Sequence, residues 1–168
     1  LHAAWLKGEE GERANIRGGS LADADLREAD FRNAILSGTT FLEADLSKAD
    51  FSGAELHKCD FRNASMSKSD FTGATLDHVN FQHCLLSEAS FSEAQMDKVL
   101  FQNATLRDCR FYDVRMKMCD FTGANLHSAF FNHAAASECR FTDADMEKCS
   151  LLRCRLHSCR FVAANLSD

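Results

Sequence analysis

Apolar residues recur along this chain at every fifth position, an interval that belongs to neither an α-helix nor a simple β-strand. From Ile16 to Leu166 the series runs Ile16, Leu21, Leu26, Phe31, Leu36, Phe41 and onward without a gap. Its 31 occupants are 13 Phe, 12 Leu, 4 Met and one Ile, with Ala136 the single small residue. Two residues earlier, a second restricted position holds 17 Ala, 8 Cys, 3 Val, and Gly19, Thr39 and Ser69. The other three positions of each five are mostly Asp, Asn, Ser, Thr, Arg, Lys, Glu, Gly and His. A helix needs apolar residues three and four apart, and a half-buried strand needs strict alternation. On a helix a period of five would walk around the axis and carry the Phe side chains into water. A chain that turns a corner every five residues satisfies the pattern. Each side then points one large and one small residue inward, and successive coils stack through backbone hydrogen bonds.

A second layer of order sets the size of the coil. From Phe31 to Phe141, Phe returns every ten residues, and the slots between hold Leu or Met except at Ala136. Four sides of five residues make a 20-residue coil in which Phe occupies two opposite walls. Phe31, Phe51, Phe71, Phe91, Phe111 and Phe131 stack on one wall, and Phe41, Phe61, Phe81, Phe101, Phe121 and Phe141 on the other. Facing Phe residues leave room only for small neighbours, which is where Ala and Cys fall. The chain contains no Pro, as a continuous ladder that uses every backbone N–H requires. Gly and Asn two places after the large residue, as at Gly53, Gly73, Asn33 and Asn63, suit corners that need positive φ.

The segments ADLRE (24–28), ADFRN (29–33), ADLSK, ADFSG, CDFRN, SDFTG, CDFTG and ANLHS resemble the A(D/N)LXX motif of the pentapeptide-repeat proteins. The resemblance spans residues 14–168. It implies an all-β fold, a right-handed quadrilateral parallel β-helix with four pentapeptides per coil. The 155 repeat residues give about 7.75 coils and a rod of roughly 37 Å at ~4.8 Å per coil. Residues 1–13, LHAAWLKGEEGER, lie outside the repeat, and Leu1, Ala4 and Trp5 suit the apolar side of a short N-terminal helical cap. The last repeat ends at Asp168 with no counterpart cap, so the C-terminal end is expected either to continue or to associate with a second copy. The start at Leu1 suggests part of a larger bacterial protein.

Composition and charge exclude several function classes. No apolar run approaches the roughly 20 residues that span a bilayer. A net charge of −6 argues against direct nucleic-acid binding, which needs a basic footprint. All eight Cys fall in one register of five, which chance would give about once in 10^5. They share that slot with Ala and Val, so they read as core filler. Cys119, Cys139 and Cys159 stack in one inward column with Cys59 further along it. Eight reduced thiols favour a reducing, cytoplasmic setting, although such repeats also occur in secreted effectors.

The polar positions offer three candidates for chemistry. His57 and Asp77 are column neighbours with His78 beside them, but exposed polar residues on a flat wall meet often without a metal. No catalytic set, cofactor site or metal site is expected, since the thiols point inward and no concave pocket is implied. Asp30, Asp50 and Asp70 form an acidic stripe, with Asp25 and Asp45 on another wall. The resemblance allows a DNA mimic that binds a type II topoisomerase such as DNA gyrase. Duplex DNA carries one charge per ~1.7 Å, so a mimic ~37 Å long should show about 22 negative charges. The net −6 here falls far short. The third candidate is a patch where Tyr112, Phe130 and Leu152 replace polar occupants on one wall, flanked by Arg110, His133 and Arg153. Phe130 is the only Phe outside the inward register and Tyr112 the only Tyr. Aromatics among arginines read as a protein contact. Leu42, Leu85, Leu100 and Val162 also point outward but lie on other walls. The chain is therefore expected to be a non-enzymatic rigid solenoid serving as an interaction or spacer module.

Overall fold

The computed structural model describes residues 13–168, so the expected helical cap at 1–13 lies almost wholly outside the described residues. Eight three-residue strands recur at intervals of 20. They are β1 (Asn15–Arg17), β2 (Ile35–Ser37), β3 (Glu55–His57), β4 (Thr75–Asp77), β5 (Gln95–Asp97), β6 (Arg115–Lys117), β7 (Ala135–Ser137) and β8 (Arg155–His157). They form one parallel sheet in sequence order, β1 to β8. The register advances by one coil each time, as in Leu36↔Leu56 and Leu56↔Leu76. The other three sides pair through single bridges with the same spacing, such as Thr40↔Asp60, Asp45↔Ser65 and Asp50↔Asp70. Four ladders per 20 residues make the expected quadrilateral coil, and the described chain is a parallel β-solenoid with no helix.

Local chemistry explains the corners. On three sides the small inward residue closes a tight turn, as in Ala44 N to Phe41 O at 3.1 Å, Ala49 N to Leu46 O at 3.0 Å and Ala54 N to Phe51 O at 3.0 Å. The corner after each strand is an open bend without that bond. The Asp or Asn of the motif supports the turns. Its side chain accepts the N–H two residues later, as from Arg32 to Asp30 at 3.1 Å, Ser52 to Asp50 at 2.8 Å and Thr72 to Asp70 at 2.8 Å. This is an Asx turn, which lets a side chain stand in for a backbone acceptor. Two residues past each large apolar residue the backbone is left-handed, from Asp23 (φ 57°) to Ala163 (φ 55°). Most of those positions carry Glu, Lys, Asp, His or Ser instead of Gly. Left-handed backbone costs an L-residue about 1 kcal/mol or more, and the surrounding ladder holds it in place.

The core is a ladder of Phe rings. Along one wall, Phe31 to Phe131 stack with centroids 4.5–5.1 Å apart. Along the opposite wall, Phe41 to Phe161 stack at 4.6–5.1 Å. Across the rod the two columns meet edge to face, as for Phe61 and Phe71 at 6.5 Å and 88°. Stacking within a column is imposed by the coil spacing, and the edge-to-face contacts between columns satisfy the rings' quadrupoles. Phe41 to Phe141 are 0–2% exposed. All eight Cys are free thiols. Most donate to a carbonyl one coil earlier, as Cys84 does to Phe61 O at 2.7 Å and Cys109 to Leu86 O at 2.9 Å. Burial pushes the Cys59 thiol up to about 11 and the Cys84 thiol up to about 12, so they are protonated filler at neutral pH.

Candidate interaction surface

One wall of the rod carries both surface features expected from the sequence. Its outer column runs Asp30, Asp50, Asp70, Ser90, Arg110, Phe130 and Ser150, each bridged to the next. The acidic stripe and the aromatic patch are therefore two ends of a single line. Midway, Ser90 is 5% exposed and its hydroxyl bonds Thr72 Oγ1 at 2.9 Å.

At the aromatic end, Phe130 is 37% exposed and its ring lies 5.8 Å from Tyr112, tilted by 30°. Leu152, 59% exposed, is one coil further on, with its carbonyl accepting from His133 N at 2.9 Å. Tyr112 is half-buried, while Arg110, His133 and Arg153 are exposed. Neither Arg110 nor Arg153 makes an ion pair among the described residues. The structure thus presents two rings and a leucine between uncompensated guanidinium groups. Leu85 and Val162, also outward, are exposed on other walls. Met118, 40% exposed at a corner, is a further outward apolar residue, and its residue type does not mark it because the other four Met fill the core register.

The acidic end is chemically different. Asp30 and Asp50 serve their own turns, and Arg32 binds Asp30 at 2.7 Å and approaches Asp50 at 3.8 Å. On the neighbouring wall Arg27 pairs with Asp25 at 2.6 Å and lies 3.8 Å from Asp45. The side-chain hydrogen bond from Arg27 holds the Asp25 carboxyl down at about 2. Carboxylates expected to face outward as a stripe are largely spent on the corners and on adjacent arginines.

The strand side carries a shallow groove of about 640 Å³, lined along its length by Leu76, Met96, Met116 and Ala136. At its upper end, Asp77 lies between two histidines. His78 Nδ1 is 2.5 Å from Asp77 Oδ1, and His57 Nδ1 bonds Asp77 Oδ2. Burial would raise the Asp77 carboxyl, but the hydrogen bonds from His78 and His57 bring it below the usual carboxylate range. Asp97 follows in the same column. Its Oδ1 is buried and meets no hydrogen-bond partner among the described residues, which no spacing in the sequence could reveal.

No helix among the described residues is long and apolar enough to cross a membrane. A search of curated protein sequences gives no match. Among solved structures, a trypsin-treated form of QnrB1, a plasmid-mediated fluoroquinolone resistance protein, is similar with a TM-score of 0.64 and 15% identity, covering 92% of this chain and 93% of that one. A pentapeptide repeat protein of the Arabidopsis thaliana thylakoid lumen gives a TM-score of 0.47 and 26% identity, over 60% of this chain and 67% of that one. The first likeness supports the fold. The profile described as "Pentapeptide repeat region" matches residues 14–91 and 54–131, and that described as "Pentapeptide repeats (8 copies)" matches residues 137–168. On matches that run along nearly all of the ladder, the chain belongs to the pentapeptide repeat family.

Proposed function

We propose that this rod is a non-enzymatic protein-interaction module whose contact wall is centred on Phe130. The observation that carries the reading is the ring pair of exposed Phe130 and half-buried Tyr112 beside Leu152, flanked by Arg110 and Arg153, which make no ion pair among the described residues. Aromatic and arginine side chains are the residue types that most often dominate protein contacts, and they do so where water is excluded. The wall calls for a partner surface that joins an apolar centre to carboxylates. The stiff ladder beneath would hold the patch in fixed geometry, so little ordering would be lost on binding. Eight free thiols fit a reducing, cytoplasmic setting.

The test is capture of partners by the wild-type rod and by a Tyr112→Ala, Phe130→Ala double variant, followed by reconstitution of the binary complex. The expected result is a fall in affinity of about tenfold or more, the usual effect of truncating a central aromatic. Unchanged capture together with unchanged self-association would remove the patch from consideration.

A topoisomerase-binding DNA mimic is the competing reading, and the spent carboxylates weigh against it. A mimic needs free negative charge at regular spacing, whereas Asp25, Asp30 and Asp60 each pair with an arginine two residues later. A DNA gyrase supercoiling assay separates the two readings. Inhibition or protection at micromolar protein would favour the mimic.

A further inference from the structure

We propose that Asp77, His78 and Asp97 form a binding site for one divalent transition-metal ion of the zinc or cobalt type, with His57 as the residue that positions Asp77. The site lies on the strand side and does not depend on the interaction wall. Its geometry follows from the ladder. His57, Asp77 and Asp97 are the last residues of β3, β4 and β5, held in consecutive register, and His78 occupies the left-handed corner after β4 with φ 53°.

One ligand atom from each of Asp77, His78 and Asp97 lies within 4.8 Å of the others. Donors about 2.1 Å from a common metal sit roughly 3–4 Å apart, so side-chain rotations alone close the site. One imidazole nitrogen and two carboxylate oxygens suit zinc, cobalt or manganese, with the remaining positions open to water. The second observation is independent of the clustering. Asp97 Oδ1 is buried and has no hydrogen-bond partner among the described residues, and Lys117, next in its column, makes no ion pair with it. A carboxylate oxygen removed from water and left unpaired is unfavourable, and a cation at this point would satisfy it. His57 supplies the outer support. By bonding Asp77 Oδ2 it fixes the carboxylate with Oδ1 turned toward His78, the role that hydrogen-bonded neighbours play around metal ligands.

A second cluster, His127, Asp145 and Glu147, has similar spacing but different surroundings. Lys148 Nζ already lies 3.0 Å from Glu147 Oε1, and Asp145 Oδ1 accepts from Asn165 Nδ2 at 3.1 Å. It serves as the internal control.

The experiment is titration of the reduced protein with Co2+, followed by absorption spectroscopy, because coordination by thiolates gives an intense charge-transfer band and coordination by nitrogen and oxygen does not. The expected result is one Co2+ per chain without the thiolate band. His78→Asn and Asp97→Asn should each weaken binding at least about tenfold, and His57→Gln by about tenfold or less. Asn adopts left-handed backbone readily and keeps the shape of Asp, so these variants should retain the fold, which melting curves verify. His127→Asn should leave binding unchanged. Absence of uptake, a thiolate band, or wild-type affinity in His78→Asn and Asp97→Asn would overturn the proposal, as would loss of binding in His127→Asn.

Discussion

The two halves of the rod share one backbone and one core but handle charge in opposite ways. Residues 1–80 contain 14 acidic and 9 basic residues, and residues 81–168 contain 11 and 10. In the first half the arginines turn back onto their own corners, as Arg27, Arg32 and Arg62 do. In the second half Arg107, Arg110, Arg115, Arg153, Arg155 and Arg160 make no ion pair among the described residues, and Arg140 reaches Asp120 only at 3.6 Å. The Phe columns run through both halves without change of spacing. A solenoid core constrains only two positions in five, so surface chemistry can differ along the rod at no cost to the ladder. The half with unspent cations and rings is the half that holds the proposed contact wall.

The largest expected effect tests the claim that the core is common to both halves. Phe51→Ala and Phe111→Ala each remove a ring stacked on both sides and met edge-on across the rod. Each should cost about 3–5 kcal/mol in chemical denaturation, and a clear inequality between them would break the equivalence. Phe130→Ala, one residue from the core ring Phe131, should cost under about 1 kcal/mol, because its ring is 37% exposed against 2% for Phe131.

Acid should then separate the halves. Asp25, Glu28, Asp60 and Asp77 all have lowered carboxyl pKa values, and all lie between residues 25 and 77. A carboxyl with a lowered folded pKa adds stability that is full above its unfolded value, about 4, and is lost as pH falls through the folded value. For Asp25 that value is about 2. Between about pH 4 and pH 2, amide hydrogen exchange should quicken in the first four coils before the last four. Uniform loss along the rod would contradict the charge division.

The smallest effect leaves stability unchanged and concerns thiol access. Burial pushes Cys84 to about 12 and Cys109 higher still, whereas Cys154 and Cys159 near the last coil are only half-buried. An aromatic disulfide reagent should label Cys154 and Cys159 in the folded protein and reach Cys84 and Cys109 only on unfolding. Early labelling of Cys84 would show that the middle coils open.

Much of this architecture is legible in the sequence because packing repeats. The alternation of Phe with Leu or Met fixes a 20-residue coil, and confinement of Cys to the Ala register identifies it as filler. What the repeat obscures is anything that differs between sides built from the same motif. Nothing in the pentapeptides marks the side with Leu36, Leu56 and Leu76 as the one that becomes continuous strand. Asp30, Asp50 and Asp70 read as an outward stripe when taken as one column. The same Asp recurs on other walls, at Asp25, Asp45 and Asp60, and that recurrence is the available sign of a backbone role. The neighbourhood of His57, Asp77 and His78 also follows from the period. The unpartnered oxygen of Asp97 does not, because it depends on side-chain rotation within an otherwise regular column.

The one-coil register of the bridges makes phase an inheritable property of this molecule. Removal of one pentapeptide would keep every large residue inward, yet it would shift all later residues by one side. Phe130 would then turn a quarter of the way around the axis relative to Asp30. Removal of 20 residues would shorten the rod and leave the two in line. Change in units of five therefore preserves the fold, and only change in units of 20 preserves which surfaces face the same direction.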